Sequence, residues 1–317
     1  MSDVRDAYDV VVIGGGAAGL NGALMLARSR RTVLVVDAGQ PRNRPAQAVH
    51  GLLGHDGISP AELLERGRDE VRRYGGQVTA GEVTAAERDA GSGFAVALAD
   101  GRRVLARRLL VASGLVDELP DVPGLRERWG RDVVHCPYCH GWEVRDKAIG
   151  VLASGPLSVH QALLFRQLSD DVVYFGNETA LDGAQAAQLA ARGIRVIDGR
   201  VSGLAIDHDR LAGVRLADGG VVPRAVVAVG ARMVARAGFL GGLGLRASAH
   251  PSGMGEHIPA DAAGRTAVPG VWAAGNVADL SAQVGAAAAA GASAAAQINA
   301  DLVAEEARLA AETIARR

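Results

Sequence analysis

The sequence lacks long apolar runs and lacks an excess of either charge. None of its apolar segments is long enough to cross a bilayer, and residues 1–8 are too short and too polar for a secretory signal. Its 34 basic and 35 acidic side chains give a net charge of -1. We therefore expect neither nucleic acid nor a membrane as a partner. The 317 residues allow two domains, which we expect to be cytoplasmic.

Cysteine is also scarce, because Cys136 and Cys139 are the only two, within Cys136-Pro137-Tyr138-Cys139-His140. In a reducing compartment a CxxC pair is seldom a structural disulfide and favours redox catalysis or half of a metal site. No second cysteine pair and no histidine spacing would complete a zinc site, so we predict no metal. CxxCH also fits c-type haem attachment. The missing secretory signal and an upstream nucleotide motif argue against haem.

That nucleotide motif is a βαβ pattern near the N-terminal end. An apolar run over Asp9–Ile13 ends on glycines, helix formers follow over Ala17–Arg28, and the run Thr32–Val36 closes on Asp37. The glycines of a GxGxxG motif are Gly14, Gly16 and Gly19. They let the backbone approach a pyrophosphate at the helix N-terminus, while Asp37 is placed to accept hydrogen bonds from a ribose. The pattern predicts a dinucleotide site.

A second strand-turn-helix pattern follows the cysteines, with strands over Ala148–Leu152 and Asp171–Phe175 and a helix ending near Leu168. Its fingerprint has decayed: the glycine positions hold Ala153, Gly155 and Ser158, and Pro156 removes a backbone N–H. After the second strand come Gly176-Asn177-Glu178, without an arginine for a 2′-phosphate. NADPH binding is therefore not expected, and a weak NADH site using Glu178 stays open as the alternative.

The two ends of the chain are predicted to build one domain. Gly270–Asn276 reads as a strand entering a glycine turn, and an alanine-rich helix follows it. The fold class is α/β, with two Rossmann-like three-layer nucleotide-binding domains, the second inserted into the first. We predict one discontinuous domain over 1–117 and 248–317, and an inserted domain over 118–247 that carries the CxxC.

This order of motifs resembles the low-molecular-weight thioredoxin reductase family over essentially the whole chain. The shared features are the N-terminal fingerprint, an Ala112-Ser113-Gly114 turn, the CxxC pair and the segment Gly270–Asn276. The family has aspartate at the last position, where Asn276 keeps hydrogen-bonding capacity without the charge. The resemblance implies FAD as the cofactor and a homodimer, with the alanine-rich helix as one candidate packing surface. It assigns FAD binding to Gly14, Gly16, Ala17, Ala18, Gly19, Asp37, Val83, Ala112, Gly114, Gly275, Asn276, Gln283 and Val284.

Two departures from the reductase pattern point to one branch of the family. The family has aspartate after the second cysteine, where this chain has His140, and an HRR-like basic cluster, which this chain lacks. Both departures and the string CPYCHGWE look like the dithiol oxidases that close disulfides in metabolites of the holomycin and gliotoxin type. The resemblance implies a FAD-dependent dithiol oxidase of antibiotic biosynthesis. Such enzymes need no NADPH and pass electrons from the flavin to O₂, releasing H₂O₂.

The same resemblance suggests roles for the site residues. Substrate thiolate attacks Cys136 of a Cys136–Cys139 disulfide, because only the thiolate is nucleophilic, and Cys139 leaves beside the flavin. His140 is the expected acid/base, since its ordinary pKa of about 6.5 suits proton transfer near neutral pH.

For His50, His55 and His135 a structural role is the simpler interpretation, and packing explains Tyr138 and Trp142 as well as a pocket would. Two alternatives remain. One is a disulfide reductase of the same fold that is supplied by NADH or a ferredoxin-like protein, and the other is a protein that sequesters a reactive dithiol.

Overall fold

The computed structural model describes residues 5–91 and 93–317. Residues 1–4, which belong to the segment expected to lack a secretory signal, fall outside the described residues, as does Ser92. The chain forms two compact units. The first comprises the described parts of Met1–Arg44, Ser59–Val116 and Met233–Arg317, and the second comprises Pro45–Ile58 and Asp117–Arg232.

The regular elements alternate between strands and helices along much of the chain. The strands are β1 (Ala7–Ile13), β2 (Val33–Asp37), β3 (Gln77–Ala80), β4 (Val83–Arg88), β5 (Phe94–Leu98), β6 (Arg103–Val111), β7 (Leu115–Glu118), β8 (Val133–Val134), β9 (Ile149–Leu152), β10 (Val172–Phe175), β11 (Arg195–Ile197), β12 (Val201–Asp207), β13 (Arg210–Leu216), β14 (Val221–Pro223), β15 (Val226–Val229), β16 (Arg232–Ala235), β17 (Ser248–Ala249), β18 (Gly255–His257) and β19 (Val271–Ala273). The α-helices are α1 (Ala17–Arg28), α2 (Pro60–Arg73), α3 (Leu125–Arg128), α4 (Pro137–His140), α5 (Ser158–Phe165), α6 (Gly183–Ala191) and α7 (Val284–Ala315), and 3₁₀-helices cover Gly238–Leu243 and Gly275–Val277.

The first unit is built on a sheet in the order β3-β2-β1-β6-β5-β4, with β19 added beside β6. Strand β1 runs parallel to both β2 and β6. Along β1, Val11 and Ile13 enter one buried cluster, whereas Val10 and Val12 enter another. Because successive side chains of a strand point to opposite faces, this alternation means that both faces of the sheet are covered.

Helices α1 and α7 pack closely in the first unit through small residues. A side-chain carbon at Gly291 would lie 1.9 Å from the carbonyl oxygen of Ala18, and one at Gly22 would lie 3.1 Å from the carbonyl oxygen of Gly291. The alanines at 287, 294 and 295 are buried on the same face of α7. Close helix packing therefore explains the alanine-rich segment, and its buried face is already used within the chain. No helix among the described residues has both the length and the apolar character needed to cross a membrane.

The second unit contains a parallel sheet in the order β11-β10-β9-β15-β8, with a separate antiparallel sheet β12-β13-β14. Val151 of β9 enters a buried cluster with Val159 and Phe165 of α5. Leu152 of the same strand enters a different cluster. This is a second Rossmann-like unit inserted into the first, and the predicted fold class is confirmed.

The limits of the units differ in two places from those drawn on the sequence. Residues 45–58 belong to the second compact unit, although the N-terminal domain was predicted to continue to residue 117. The chain returns to the first unit at Met233, whereas the predicted boundary was 248. The division into functional domains itself stays a prediction. Helix α5 ends at Phe165, three residues before Leu168.

Candidate active site

The two cysteines lie at the start of the one-turn helix α4. Cys136 has extended backbone and precedes the helix, and its Sγ accepts a hydrogen bond from the Cys139 N–H at 3.2 Å. Pro137 occupies the first helical position, where a missing N–H costs least. The His140 N–H donates to the Cys136 carbonyl at 3.1 Å. One tight turn therefore brings a hydrogen-bond donor to the first sulfur and places the imidazole next in sequence to the second.

The segment after the helix is fixed by close packing. At Gly141 a side-chain carbon would lie 2.1 Å from the Pro137 carbonyl oxygen and 2.3 Å from the Leu168 side chain. Val144 is buried in the cluster formed with β9 and α5. Between these two anchors Trp142 is exposed, and the Arg145 guanidinium lies 4.1 Å from the centre of its ring. Glu143 therefore lies on a short connection that is fixed at both ends, directly after the CxxCH turn in the chain.

Both ring nitrogens of His140 are buried, although the residue as a whole is partly exposed, and neither nitrogen has a hydrogen-bond partner among the described residues. Burial lowers the pKa of His140, the carboxylate of Glu143 opposes this by raising it, and His50 and His135 lower it further. The imidazole is therefore neutral at pH 7 and able to take a proton. Buried polar atoms without partners are rare in folded proteins. They are expected where a substrate supplies the missing partner.

A loop from the N-terminal part of the chain reaches this site within the second unit. His50 Nε2 lies 3.5 Å from Glu143 Oε1, and His50 Nδ1 lies 3.5 Å from Asp56 Oδ1. Asp56 Oδ1 also accepts the Gly51 N–H at 2.8 Å. This hydrogen bond is the main cause of the lowered pKa of Asp56, and His50 adds to it. The loop therefore carries two titratable side chains in line with Glu143.

The other candidate side chains of this region have more ordinary surroundings. His135 Nδ1 lies 3.1 Å from the Val229 carbonyl oxygen, and its own carbonyl accepts from Gln161 Nε2 at 2.7 Å. His55 is exposed on the loop. Tyr138 is exposed as well. Within the described residues no group of three or more His, Cys, Asp or Glu is arranged to hold a metal ion.

The N-terminal fingerprint has the shape that a pyrophosphate requires. Gly14 has a φ of +111°, and a side-chain carbon there would lie 2.3 Å from the Ala112 carbonyl oxygen. At Gly19 such a carbon would lie 1.9 Å from the Gly14 carbonyl oxygen, so the turn closes tightly. At Gly16, by contrast, it would meet nothing within 4 Å. In the described part of the chain no side chain caps α1, so its first-turn amides can meet a phosphate.

The other predicted cofactor residues lie on adjoining elements of the first unit. A side-chain carbon at Gly275 would lie 2.8 Å from Ala18 Cβ. The Ala112 N–H donates to the Ile13 carbonyl at 2.8 Å. The two turns therefore converge on the start of α1. The remaining positions are Ala17 at the first residue of α1, Val83 at the first residue of β4, Gly114 in the turn after β6, Gln283 as the N-cap of α7 and Val284 as its first residue.

Asp37 ends β2 beside the glycine turn. A side-chain carbon at Gly15 would lie 2.5 Å from its carboxylate. One carboxylate oxygen accepts the Gly39 N–H at 3.0 Å, and Arg68 lies 3.3 Å from the other. A carboxylate offers roughly four acceptor positions, so Asp37 can still accept from a ribose.

Asn276 uses its amide to fix the chain ahead of α7. Its Nδ2 donates to the carbonyl oxygens of Asp279 and Ala282, at 3.0 and 2.9 Å, and lies 3.4 Å from that of Leu280. A carboxylate could not make these bonds, because it has no hydrogen to donate. The asparagine is therefore suited to this loop in a way that the aspartate of the family is not.

In the second nucleotide-binding pattern, the turn after β9 is hydrogen-bonded to the side chain of Ser158. The Ser154 and Gly155 N–H groups donate to Ser158 Oγ at 3.0 and 3.2 Å. Pro156 has no N–H, and the Ser158 N–H donates to the Gly155 carbonyl. Ser158 is buried. The backbone donors that would hold a pyrophosphate are thus largely used within the turn.

The sequence interpretation missed Glu143 and Gln161. Glu143 follows His140 by three residues, a spacing that places two side chains together on one helical turn, and this was the available signal. The position of His50 depends on how a distant loop folds, for which the sequence carries no local sign. Gln161 has a buried Oε1 without a partner among the described residues, while its amide holds the His135 carbonyl.

The fold and these sites define a two-domain dinucleotide-binding oxidoreductase with a CxxC pair. The chain belongs to the family of pyridine nucleotide-disulphide oxidoreductases, whose model matches residues 8–295. Members of this family with the thioredoxin reductase-like architecture are FAD-binding flavoproteins, and the FAD assignment is confirmed. The protein is a flavoprotein redox enzyme, and the resemblance to thioredoxin reductases is confirmed.

Individual relatives extend over most of the chain. Thioredoxin reductase tcpT of Claviceps purpurea is 33% identical over 84% of this chain and 86% of its own length. HlmI, for which a crystal structure is known, shares 47% sequence identity with this chain. The two structures match with a TM-score of 0.93 over 99% of this chain and 98% of HlmI. The putative thioredoxin reductase TrxB of Bacillus anthracis is 29% identical, with a TM-score of 0.88, over 94% of this chain and 99% of that one.

Proposed function

We propose that the protein is a FAD-dependent dithiol oxidase that closes an intramolecular disulfide in a small-molecule dithiol of the holomycin and gliotoxin type. The overall reaction converts one dithiol and one O₂ into one cyclic disulfide and one H₂O₂, so two electrons and two protons leave the substrate. FAD, when bound, supplies the two-electron acceptor between the cysteine pair and O₂. The enzyme acts as a cytoplasmic homodimer.

The observation that carries this proposal is the closure of the second fingerprint by Ser158. A reductase of this architecture that is supplied by a nicotinamide must bind the pyrophosphate of that dinucleotide, which needs free backbone donors. Here the Ser154 and Gly155 N–H groups already donate to Ser158 Oγ. Asn177 is also occupied, because its Oδ1 accepts the Val201 N–H at 2.9 Å. The closed turn therefore favours entry of electrons from the thiol substrate over entry from a nicotinamide.

The CxxCH turn supports the direction of the reaction. In the proposed cycle a substrate thiolate attacks Cys136 Sγ, the Cys136–Cys139 bond breaks, and the electron pair stays on Cys139. The second substrate sulfur then attacks the mixed disulfide and releases the cyclic product, leaving both cysteines reduced. His140 takes the substrate proton, since its buried imidazole is neutral and its ring nitrogens lack partners among the described residues. The FAD-binding residues are those that converge on the start of α1.

Sequence identity to the relatives supports the oxidase branch, because it is higher to HlmI than to a thioredoxin reductase. Identity to HlmI is 47% across nearly the whole chain, compared with 29% to the putative thioredoxin reductase of Bacillus anthracis. The name of tcpT nevertheless favours a second candidate, a disulfide reductase supplied by NADH or by an electron-transfer protein.

Anaerobic reduction of the purified protein tests both functions. Dithiothreitol, NADH and NADPH are added in parallel while the flavin absorbance is followed, and air is then admitted. The oxidase predicts bleaching by the dithiol alone, with recovery and one H₂O₂ per disulfide on aeration. Rapid bleaching by either nicotinamide would instead identify a reductase. The Cys136→Ser variant should lose bleaching by the dithiol while it keeps its FAD.

A further inference from the structure

The loop Pro45–Ile58 and the turn after α4 together carry a line of three titratable side chains. Glu143 Oε1 lies 3.5 Å from His50 Nε2, and His50 Nδ1 lies 3.5 Å from Asp56 Oδ1. Asp56 is 69% exposed at the outer end, whereas His50 is 26% exposed in the middle. The line therefore leads from the surroundings of His140 to solvent.

Few charged groups face His140, and each has a defined position. Glu143 lies on the turn that follows α4, His50 on the loop and His135 at the end of β8, while Cys136 and Cys139 belong to the same turn as His140. Glu143 is the only one of these outside the cysteine turn that favours the imidazolium. A buried imidazole that takes a proton therefore depends on Glu143 for compensation of its charge.

A buried base must also release its proton before the next turnover. Neither ring nitrogen of His140 bonds to another described residue, so no hydrogen bond leads directly outward from the ring. The side chain of Glu143 is 42% exposed, and each ring nitrogen of His50 lies 3.5 Å from a carboxylate oxygen. An imidazole between two carboxylates can accept a proton on one nitrogen and release the proton of the other.

We propose that Glu143 and His50 are positioning residues that carry the substrate proton from His140 to solvent. The proton leaves the substrate sulfur for a His140 ring nitrogen, passes to the Glu143 carboxylate and then to His50 Nε2, and the proton on His50 Nδ1 leaves to Asp56 or water. No electrons move in this relay. The inference rests on the proposed function for the origin of the proton, but its electrostatic part concerns only these side chains.

The first test measures the pKa of His140 directly. Protein labelled with ¹³C-histidine is titrated by NMR, and the His140 resonance is assigned with His140→Gln. Removing the carboxylate in Glu143→Gln should lower the pKa of His140, and removing the neighbouring imidazole in His50→Gln should raise it. His55→Gln, an exposed histidine of the same loop, is the matched control and should leave it unchanged. An unchanged pKa of His140 in both relay variants would overturn the inference, whichever direction the enzyme runs.

The second test asks whether His50 moves protons during turnover. In dilute buffer His50→Ala should oxidise dithiothreitol about 10-fold more slowly or worse, and added imidazole should restore most of the rate. His55→Ala should keep the wild-type rate with or without imidazole. Loss of activity in His50→Ala without rescue, in protein that keeps its FAD and its circular dichroism spectrum, would contradict the relay. If His50→Ala does not fold, Asp56→Asn replaces it, with a smaller decrease that extra buffer removes.

The two proposals can fail separately. If the wild-type protein does not oxidise dithiols, the proposed function fails, while the NMR titration still decides whether Glu143 and His50 set the protonation of His140. If the wild-type protein oxidises dithiols and His50 proves dispensable in both tests, only the relay is wrong.

Discussion

His140 illustrates how much one side chain can determine at this site. Its two ring nitrogens are buried without a partner among the described residues, and the residue follows Cys139 in the chain. Burial disfavours the charged imidazolium, so the neutral base persists to lower pH than in solution. The chemistry proposed for the cysteines therefore operates with a base that needs no activation.

Replacing this base should change both the rate and its pH dependence. His140→Gln should reduce dithiol turnover by about 100-fold, the lower range for general acid–base catalysis. Because a base works in its deprotonated form and the pKa of His140 is below 6.5, wild-type activity should be lost as the pH falls below that value. This acidic limb should be absent from the profile of the variant. A variant with wild-type rates at all pH values would remove His140 from the mechanism.

A second prediction for a single residue concerns stability rather than catalysis, and it is made for Asn276. Asn276→Asp brings back the residue of the related reductases, yet it replaces a donor with an acceptor facing the Asp279 and Ala282 carbonyl oxygens. We expect a loss of about 1–3 kcal/mol in the free energy of unfolding, the usual cost of an unsatisfied polar group. Urea unfolding of the FAD-free protein measures it, with Asn43→Asp as the control. Equal or greater stability would show that the amide bonds are unimportant.

At the scale of elements, the crossing of α1 and α7 links packing to cofactor binding. Helix α1 supplies the open amides at the fingerprint, and α7 holds it in place through Gly291, which contacts the backbone of Ala18. Because Ala18 is also an expected FAD residue, a displacement of α1 at this contact should affect the cofactor site as well as stability.

Gly291→Ala tests this link. The added methyl group would lie 1.9 Å from the Ala18 carbonyl oxygen, so the helices must separate. Overpacking of this kind costs about 1–3 kcal/mol. We expect a lower Tm and a lower FAD content per chain. Gly183→Ala, in α6 with open space around the position, is the matched control and should preserve both. A fully loaded and equally stable Gly291→Ala variant would contradict the close crossing.

A second element-scale contact joins α7 to the sheet through charges. Arg107 of β6 donates to Asp9 at 2.9 Å, to Glu305 at 2.8 Å and to Glu306 at 2.7 Å. Hydrogen bonds from Arg31 and Arg107 lower the pKa of Glu306 to about 2. A carboxylate whose pKa is lowered by folding stabilises the folded protein at pH values above its pKa in the unfolded chain. This stabilisation is lost as the pH falls towards its folded-state pKa of about 2. The helix is therefore held at its far end by ion pairs and near its start by close packing.

At the scale of the whole molecule, the sequence predicted the architecture better than the site. The βαβ units follow from local rules, because Asp9–Ile13 and Thr32–Val36 are apolar runs that flank a glycine turn, and the helix Ala17–Arg28 has the predicted limits. The two cysteines and His140 were identified because they are adjacent in the chain. Glu143 was not identified, and His50 was interpreted as structural, since their proximity depends on the packing of the loop Pro45–Ile58 rather than on a motif.

The homodimer is a prediction at this scale. The resemblance to thioredoxin reductases favours a dimer, and the buried alanines of α7 pack within their own chain, so the contact must use another surface. Sedimentation equilibrium or light scattering of the FAD-loaded protein should give twice the chain mass of 32.5 kDa. A monomer mass across the concentrations used for turnover would rule out the dimer.

The division of the first unit between the two ends of the chain sets the order in which the protein can fold during synthesis. Strand β19 completes the sheet beside β6 by pairing Val271 with Leu109 and Ala273 with Val111, and α7 covers α1 only after that. During synthesis all of the second unit, including Pro45–Ile58, leaves the ribosome before residues 233–317 do. At that stage β1 and α1 still lack the contacts that β19 and α7 later provide. The cysteine turn should therefore form before the cofactor can be captured, and newly made protein would pass through a stage with a folded thiol site and no flavin.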